Sequence, residues 1–346
     1  MANDNNRTDI KDIGEFGLID RINSKVKKYN ESTQKAIGDD AAVINGSSEQ
    51  TVVSTDMLLE GVHFDLSYMP LKHLGYKAVA VNLSDIAAMN AIPKQITVSI
   101  GLSNRFSVEA VDALYEGIFA ACEAYKVDLV GGDTTSSGAG LVISITAIGT
   151  APKENITYRN TAKKGDIVCV TGDLGAAYIG LQLLEREKQV FLADPNMQPD
   201  LTESEYVIGR QLKPDARLDI IHEFKDLNLI PNAMIDISDG LASELFHLCK
   251  SSNLGVAIYE DKLPIDKETY SIASDTLNIA PITCMLNGGE DYELLFTISQ
   301  EQYDKLKKHA DISMIGYMQE AEKGLKLVTR GQQVIDIQAQ GWAHFK

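Results

Sequence analysis

Residues 77–89 read Lys77-Ala78-Val79-Ala80-Val81-Asn82-Leu83-Ser84-Asp85-Ile86-Ala87-Ala88-Met89. The run from Leu74 to Met89 is rich in alanine and valine and poor in charge, which predicts a deeply buried helix. Before it, Thr51-Val52-Val53-Ser54-Thr55 has the texture of a strand. After it, Ile96, Val98, Ile100 and Leu102 alternate with polar or small residues, as in a half-buried strand. Val111, Leu114, Ile118 and Cys122 then recur at helical spacing, giving an amphipathic helix that ends before Lys126. Leu141–Ile148 is a more continuous apolar run, the pattern of a buried strand. Strand, helix, strand, helix, strand predicts an α/β or α+β domain over residues 1–150.

A chain of 346 residues exceeds what one hydrophobic core usually serves, so a second domain is expected over 151–346. Ala151–Gly165 is polar, carries Pro152 and reads as the linker. Strands are expected at Ile167–Thr171, Ala233–Ile237 and Leu294–Ile298. Helices are expected from Ala176, over Leu241–Lys250 and from Tyr303. Ahead of the first domain only Glu15–Ile19 has a helical pattern, and the polar residues 187–206 read as a surface excursion.

Asp and Glu number 49 against 32 Lys and Arg, a net charge of −17. Such a surface repels a phosphate backbone, which argues against nucleic acid as a partner. An anionic ligand would have to be bound through cations. Cys122, Cys169, Cys249 and Cys284 are scattered, without zinc-site spacing, and read as reduced thiols of a cytoplasmic protein. The start of the chain lacks the apolar core of a signal peptide, and Leu141–Ile148 is far shorter than the ~20 residues of a spanning helix. No membrane association is expected.

Acidic residues recur beside Gly, Ser or Thr where strands are expected to end. The instances are Gly38-Asp39-Asp40, Ser54-Thr55-Asp56, Ser84-Asp85, Gly131-Gly132-Asp133-Thr134-Thr135, Asp236-Ile237-Ser238-Asp239-Gly240 and Gly288-Gly289-Glu290-Asp291. Carboxylates with adjacent hydroxyls suit a hard cation that takes oxygen ligands. Any one of them could equally be a turn or N-cap residue. Asp85 stands out because its neighbours are apolar, and a carboxylate there needs a cation or several donors. The alternative for Asp85 is an N-cap on a short helix starting at Ile86. The chain has no GxxxxGK[ST] loop and no protein-kinase motif set. Gly172-Asp173-Leu174-Gly175 could be a phosphate loop or a packing turn.

Taken in order, further stretches join these. Gly38-Asp39-Asp40-Ala41-Ala42, Ser54-Thr55-Asp56 with Gly61-Val62-His63-Phe64, and Lys77–Met89 resemble the thiamine-monophosphate kinases. So do Gly131–Thr135, Ile235-Asp236-Ile237-Ser238-Asp239-Gly240-Leu241 and Gly288-Gly289-Glu290-Asp291-Tyr292-Glu293-Leu294. Each motif alone is weak, but the ordered set is specific and spans about residues 15–346. The resemblance implies the two-domain α/β and α+β fold of the aminoimidazole ribonucleotide synthetase superfamily. In that fold the N-terminal domains of two subunits pair their sheets into a barrel, ATP lies in the resulting cleft, and a C-terminal α+β domain closes over it. It further implies Mg²⁺-dependent transfer of the ATP γ-phosphoryl group to thiamine monophosphate in a homodimer.

By the same resemblance the magnesium ligands are Asp40, Ser54, Thr55, Asp56, Asp85, Asp133, Asp236 and Asp239, with Asp56, Asp85, Asp133 and Asp239 central to catalysis. ATP contacts fall to Tyr115, Gly132, Asp133, Arg159 and Ser238, and the substrate meets His63, Glu290 and Trp342. The residues before Glu15 and those around 187–206 lie outside the motifs, and Trp342 rests only on the ending Gly341-Trp342-Ala343-His344-Phe345.

The chemistry agrees with the composition. A phosphate monoester with a second pKa near ~6 is largely dianionic at neutral pH, so the reaction needs no protein base. Positioning and charge neutralisation are what remain to be supplied. A selenophosphate synthetase-like reading wants a reactive Cys and Lys in a Gly-rich N-terminal segment, whereas the first cysteine here is Cys122. A purine-pathway amide synthetase fits the Gly61–Phe64 and Gly288–Leu294 stretches poorly. A silent nucleotide-binding protein would need only part of the acidic set.

Overall fold

The computed structural model describes residues 8–37, 42–46 and 48–338, and the side chains of 14–16 lie outside the description. The chain divides into two compact units, one of Met1–Ile86 with Ala91–Lys153 and one of Ala87–Asn90 with Glu154–Lys346. Among the described residues no helix is long and apolar enough to cross a membrane.

The first unit opens with helix α1 (Ile10–Asn23) and two short paired strands, β1 (Thr33–Lys35) and β2 (Val43–Ile44). Strand β3 (Gln50–Leu59), helix α2 (Leu71–Ala88), strand β4 (Ile92–Leu102), helix α3 (Val108–Tyr125) and strands β5 (Asp128–Ser136) and β6 (Val142–Ala151) follow. The sheet order is β3-β6-β4-β5, with only the β4–β5 pair parallel. Ile96, Val98 and Ile100 of β4 and Ile143, Ile145 and Ala147 of β6 are buried. On the open face Val53 and Met57 remain 60% and 53% exposed. Strand β4 is therefore internal to the sheet. The alternation Ile96, Val98, Ile100, Leu102 arises from one buried face, so these residues do not mark an exposed edge.

Helix α3 begins where the Ser107 hydroxyl accepts the Ala110 N–H and ends at Lys126, which turns left-handed at φ 58°. Helices α2 and α3 cross in very close contact at two glycines. A Cβ on Gly75 would sit 2.0 Å from the Leu114 carbonyl oxygen, and one on Gly117 would sit 1.9 Å from that of Lys72. This crossing fixes α2, whose last turns carry Asn82 and Asp85. Asp85 lies inside α2, not before a new helix at Ile86, so the N-cap alternative is excluded.

The second unit begins with strand β7 (Ile167–Thr171) and helices α4 (Ala176–Ala193), α5 (Glu205–Leu212) and α6 (Leu218–Asp226). Next come β8 (Ala233–Asp236), α7 (Leu241–Ser252), β9 (Leu254–Tyr259), α8 (Lys267–Ser271) and α9 (Pro281–Asn287). Strand β10 (Leu294–Ile298), helix α10 (Tyr303–Leu306) and strands β11 (Ile312–Glu320), β12 (Leu325–Val328) and β13 (Val334–Asp336) complete it. The order β13-β12-β9-β11-β7-β10-β8 is antiparallel except between β9 and β12. Its core joins Val168, Val170 and Leu295 to Leu241, Leu245 and Leu248 of α7. Residues 187–193, expected within a surface excursion, are the end of α4, and Glu187 among them is buried.

Candidate active site

Asp56 and Asp133, expected at strand ends, lie within strands, Asp56 in β3 and Asp133 in β5. Along β3, Val52, Ser54, Asp56 and Leu58 are more covered than Val53, Thr55 and Met57, so Ser54 and Asp56 share the covered face. The Ser54 hydroxyl donates to the Asp85 carboxylate at 2.5 Å, and the Asp56 N–H donates to Asn82 Oδ1 at 3.0 Å. Asn82 is itself held by donating Nδ2 to the Ala78 carbonyl at 2.9 Å, one turn back on α2. Burial first, and then the neighbouring Asp85 charge, push the Asp56 carboxyl up to about 6.

Two carboxylates crowded in a half-buried place, with a hydroxyl beside them, are a hard-oxygen donor set whose mutual repulsion a divalent cation would relieve. That donor chemistry fits Mg²⁺. Among the described residues no group of three His, Cys, Asp or Glu side chains converges in a metal-holding arrangement, and Asp40 falls outside them. Thr55 is exposed on the other face of β3, its hydroxyl donating to the Ile145 carbonyl at 3.0 Å. Asp133 is level with Ser99 on β5, while Asp56 is on β3 at the opposite edge of the sheet. Three strand spacings, about 14 Å, separate those edges, so Asp133 and Asp56 stand at opposite edges of the sheet. Gly132 lies against β4 so closely that a Cβ would meet the Val98 carbonyl oxygen at 1.8 Å.

His63 follows β3 and is half-buried, its Nδ1 accepting the Leu59 N–H at 3.0 Å. That bond puts the proton of the neutral ring on Nε2, which becomes the donor. Tyr115, expected to contact ATP, is 5% exposed within its unit and packs on Phe119, and burial raises its phenol pKa. Its place is in the core of α3.

In the second unit Asp236 ends β8 and is 7% exposed. The chain then passes Ser238 and Asp239 and enters α7 through Gly240 at φ 115°. Glu244, on the first turn of α7, accepts the Asp239 N–H at 3.1 Å. Burial pushes its carboxyl up to about 7, against the pull of that N–H and of Arg159. Arg159, Ser238, Asp239 and Glu244 thus form one neighbourhood. Asn82 and Glu244 were not singled out from sequence, although a polar residue one turn before Asp85 and an acid among apolar neighbours were visible signals.

The Gly288–Glu293 loop is strapped onto the same neighbourhood. Glu290 donates its N–H to the Ser238 carbonyl at 2.7 Å, Tyr292 donates to Ile237 at 2.9 Å, and Ile237 donates to Glu293 at 2.8 Å. Glu290 and Tyr292 adopt φ of 67° and 53°, left-handed values that ordinary residues rarely hold. Asp291, buried below them, accepts the N–H groups of Gly175 at 2.7 Å and Ala177 at 3.3 Å. A protein carboxylate therefore occupies the start of α4, and Gly172–Gly175 is a packing turn rather than a phosphate loop. Trp342 lies outside the described residues.

The AIR synthase related protein N-terminal domain matches residues 38–151, and the AIR synthase related protein C-terminal domain matches residues 163–324. The chain is 36% identical over 343 residues to a thiamine-monophosphate kinase of Bacillus subtilis (strain 168), covering 96% of this chain and all of that one. It is similar to the solved structure of AaThiL complexed with AMPPCP and TMP, at 34% identity and a TM-score of 0.74, covering 97% of this chain and 98% of that one. The structure of the hydrogenase maturation protein HypE in complex with ATP shares the fold, with a TM-score of 0.73 at 17% identity over 95% of this chain and 96% of that one.

Proposed function

The chain belongs to the thiamine-monophosphate kinase family, and we propose that it transfers the γ-phosphoryl group of ATP to thiamine monophosphate, giving thiamine diphosphate and ADP. The observation that carries this reading is the pairing of Asp56 and Asp85 beside Ser54, a cation-demanding site in a chain without phosphate-loop or base motifs. Mg²⁺ bound there would neutralise charge on the transferring phosphoryl group.

The contacts around Asp56 and Asp85 support a task for four residues. Asp56 and Asp85 hold the cation, Ser54 orients Asp85, and Asn82 fixes the β3 backbone at Asp56. In the first unit Asp40 and Asp133 are proposed as ligands of further Mg²⁺ ions and Gly132 and Asp133 as ATP contacts, while Thr55, turned to the other face of β3, is not kept. In the second unit Asp236 and Asp239 are proposed Mg²⁺ ligands, with Arg159 and Ser238 meeting ATP. His63 offers its Nε2 proton to the acceptor phosphate, and Glu290 and Trp342 meet the thiamine moiety. The acceptor is already the dianion at neutral pH, so none of these residues has to remove a proton. The open sheet face around Val53 and Met57 supports a homodimer formed through the first unit. Family membership and composition support a cytoplasmic location.

ADP release measured with thiamine monophosphate, free thiamine or no acceptor tests the reading. Release that requires Mg²⁺ and thiamine monophosphate is expected, and equal release without acceptor would overturn it.

A further inference from the structure

Helix α5 grips the Gly288–Glu293 loop through two consecutive side chains. Arg210 donates Nη2 to the Asp291 carbonyl at 3.1 Å and Nη1 to the Glu293 carboxylate at 2.8 Å. Gln211 donates Nε2 to the Glu290 carboxylate at 2.8 Å. The Asp291 carbonyl lies between the two left-handed residues Glu290 and Tyr292, where the loop has most tendency to relax. Glu293 is 1% exposed and is held a second time by Arg217 and by the Thr171 hydroxyl. Gly172 leaves room for that carboxylate, since a Cβ there would lie 2.3 Å from Glu293 Oε1. Helix α5 is fixed in turn by Glu268, which accepts the N–H groups of Tyr206 and Val207 at 3.0 and 3.1 Å.

We infer that Arg210 and Gln211 are positioning residues for the acceptor substrate: Arg210 locks the backbone at Asp291 and the Glu293 side chain, and Gln211 aims the Glu290 carboxylate. The inference rests on the reading of Glu290 as a substrate contact, and it extends the substrate-determining machinery to a helix outside every motif of the chain. A cationic acceptor ring would be met by a preset carboxylate, so loosening the loop should weaken acceptor binding and leave ATP binding alone.

The test compares Arg210→Met, Gln211→Ala and Glu290→Gln in the full chain. Hydrogen exchange at the Glu290 and Tyr292 amides is measured together with KM for thiamine monophosphate and for ATP. In Arg210→Met the two amides should exchange at least about tenfold faster while β10 stays protected. KM for thiamine monophosphate should rise about tenfold and KM for ATP should hold within twofold. Gln211→Ala should raise only the acceptor KM, which keeps the inference testable if Arg210→Met fails to fold. Unchanged exchange at both amides in Arg210→Met would overturn the positioning role. An acceptor KM that stays put in both α5 variants while Glu290→Gln raises it would overturn it too. An acceptor KM unmoved in all three variants would overturn the inference through its premise, the assignment of Glu290.

Discussion

The Ser54 hydroxyl donates to the Asp85 carboxylate at 2.5 Å and so joins an edge strand to a buried helix at the point where Asp56 also meets that helix through Asn82. Two carboxylates are thereby fixed near each other before any cation arrives. Preorganisation of this kind keeps the cost of gathering like charges in the fold rather than in the reaction.

Asp85→Asn should lower kcat by at least ~10²-fold, the scale of removing one charge-stabilising group. The amide oxygen can still accept from Ser54, and the repulsion on Asp56 disappears. Thermal unfolding in EDTA should therefore occur at the same or a higher temperature than in the wild type. A variant with near-wild-type kcat at saturating Mg²⁺ would contradict the role of Asp85.

Stability of the metal-free protein should fall as pH rises from about 5 to 8. Asp56, pushed up to about 6, and Glu244, pushed up to about 7, bind protons more tightly folded than unfolded. Protons are then lost on unfolding through this window, which makes the slope of stability against pH negative. Glu109, held down at about 2 by the Thr8 N–H, titrates below the window and does not offset the trend. Mg²⁺ should reverse the slope, because it binds the ionised carboxylates. Scanning calorimetry in EDTA with a Tm that is flat or rises from pH 5 to 8 would refute this.

Gly75→Ala should destabilise the first unit by ~1–3 kcal/mol or more, since the new methyl meets the backbone of α3 and neither helix can yield locally. Because α2 carries Asp85, activity should fall further than a surface substitution would cause. An unchanged urea midpoint would show that the crossing tolerates a methyl group.

Light scattering should give twice the 37.8 kDa chain mass, and Val53→Asp with Met57→Asp should shift it towards the single-chain value. An exposed edge at Ile96–Leu102 cannot be the dimer surface, because β6 and β4 pair along that strand. The open face of the sheet replaces it. A wild-type mass of one chain at micromolar concentration would exclude the dimer.

Much of the fold was legible because periodicity records burial. Ile167–Thr171 and Leu294–Ile298 coincide with β7 and β10, and Lys126 ends α3 as the helical spacing predicts. Strand β5 was not legible, since Gly131-Gly132 looks like a loop until a neighbouring backbone packs against it. The pairing of Asp56 with Asp85 depends on the side chosen by alternate residues of β3, and that choice also separates Thr55 from them. Strand order puts Asp133 and Asp56 on opposite edges of the sheet, a fact no local pattern contains. The turn before α4 stayed open between packing and phosphate binding for a related reason: its partner, Asp291, is more than a hundred residues away in sequence.

The most direct measurement follows label from [γ-³²P]ATP in the presence of Mg²⁺ and thiamine monophosphate. Label should appear in thiamine diphosphate in a one-to-one ratio with ADP, and Asp85→Asn should suppress both together. Label recovered only as inorganic phosphate, with thiamine monophosphate unconsumed, would contradict the proposed transfer.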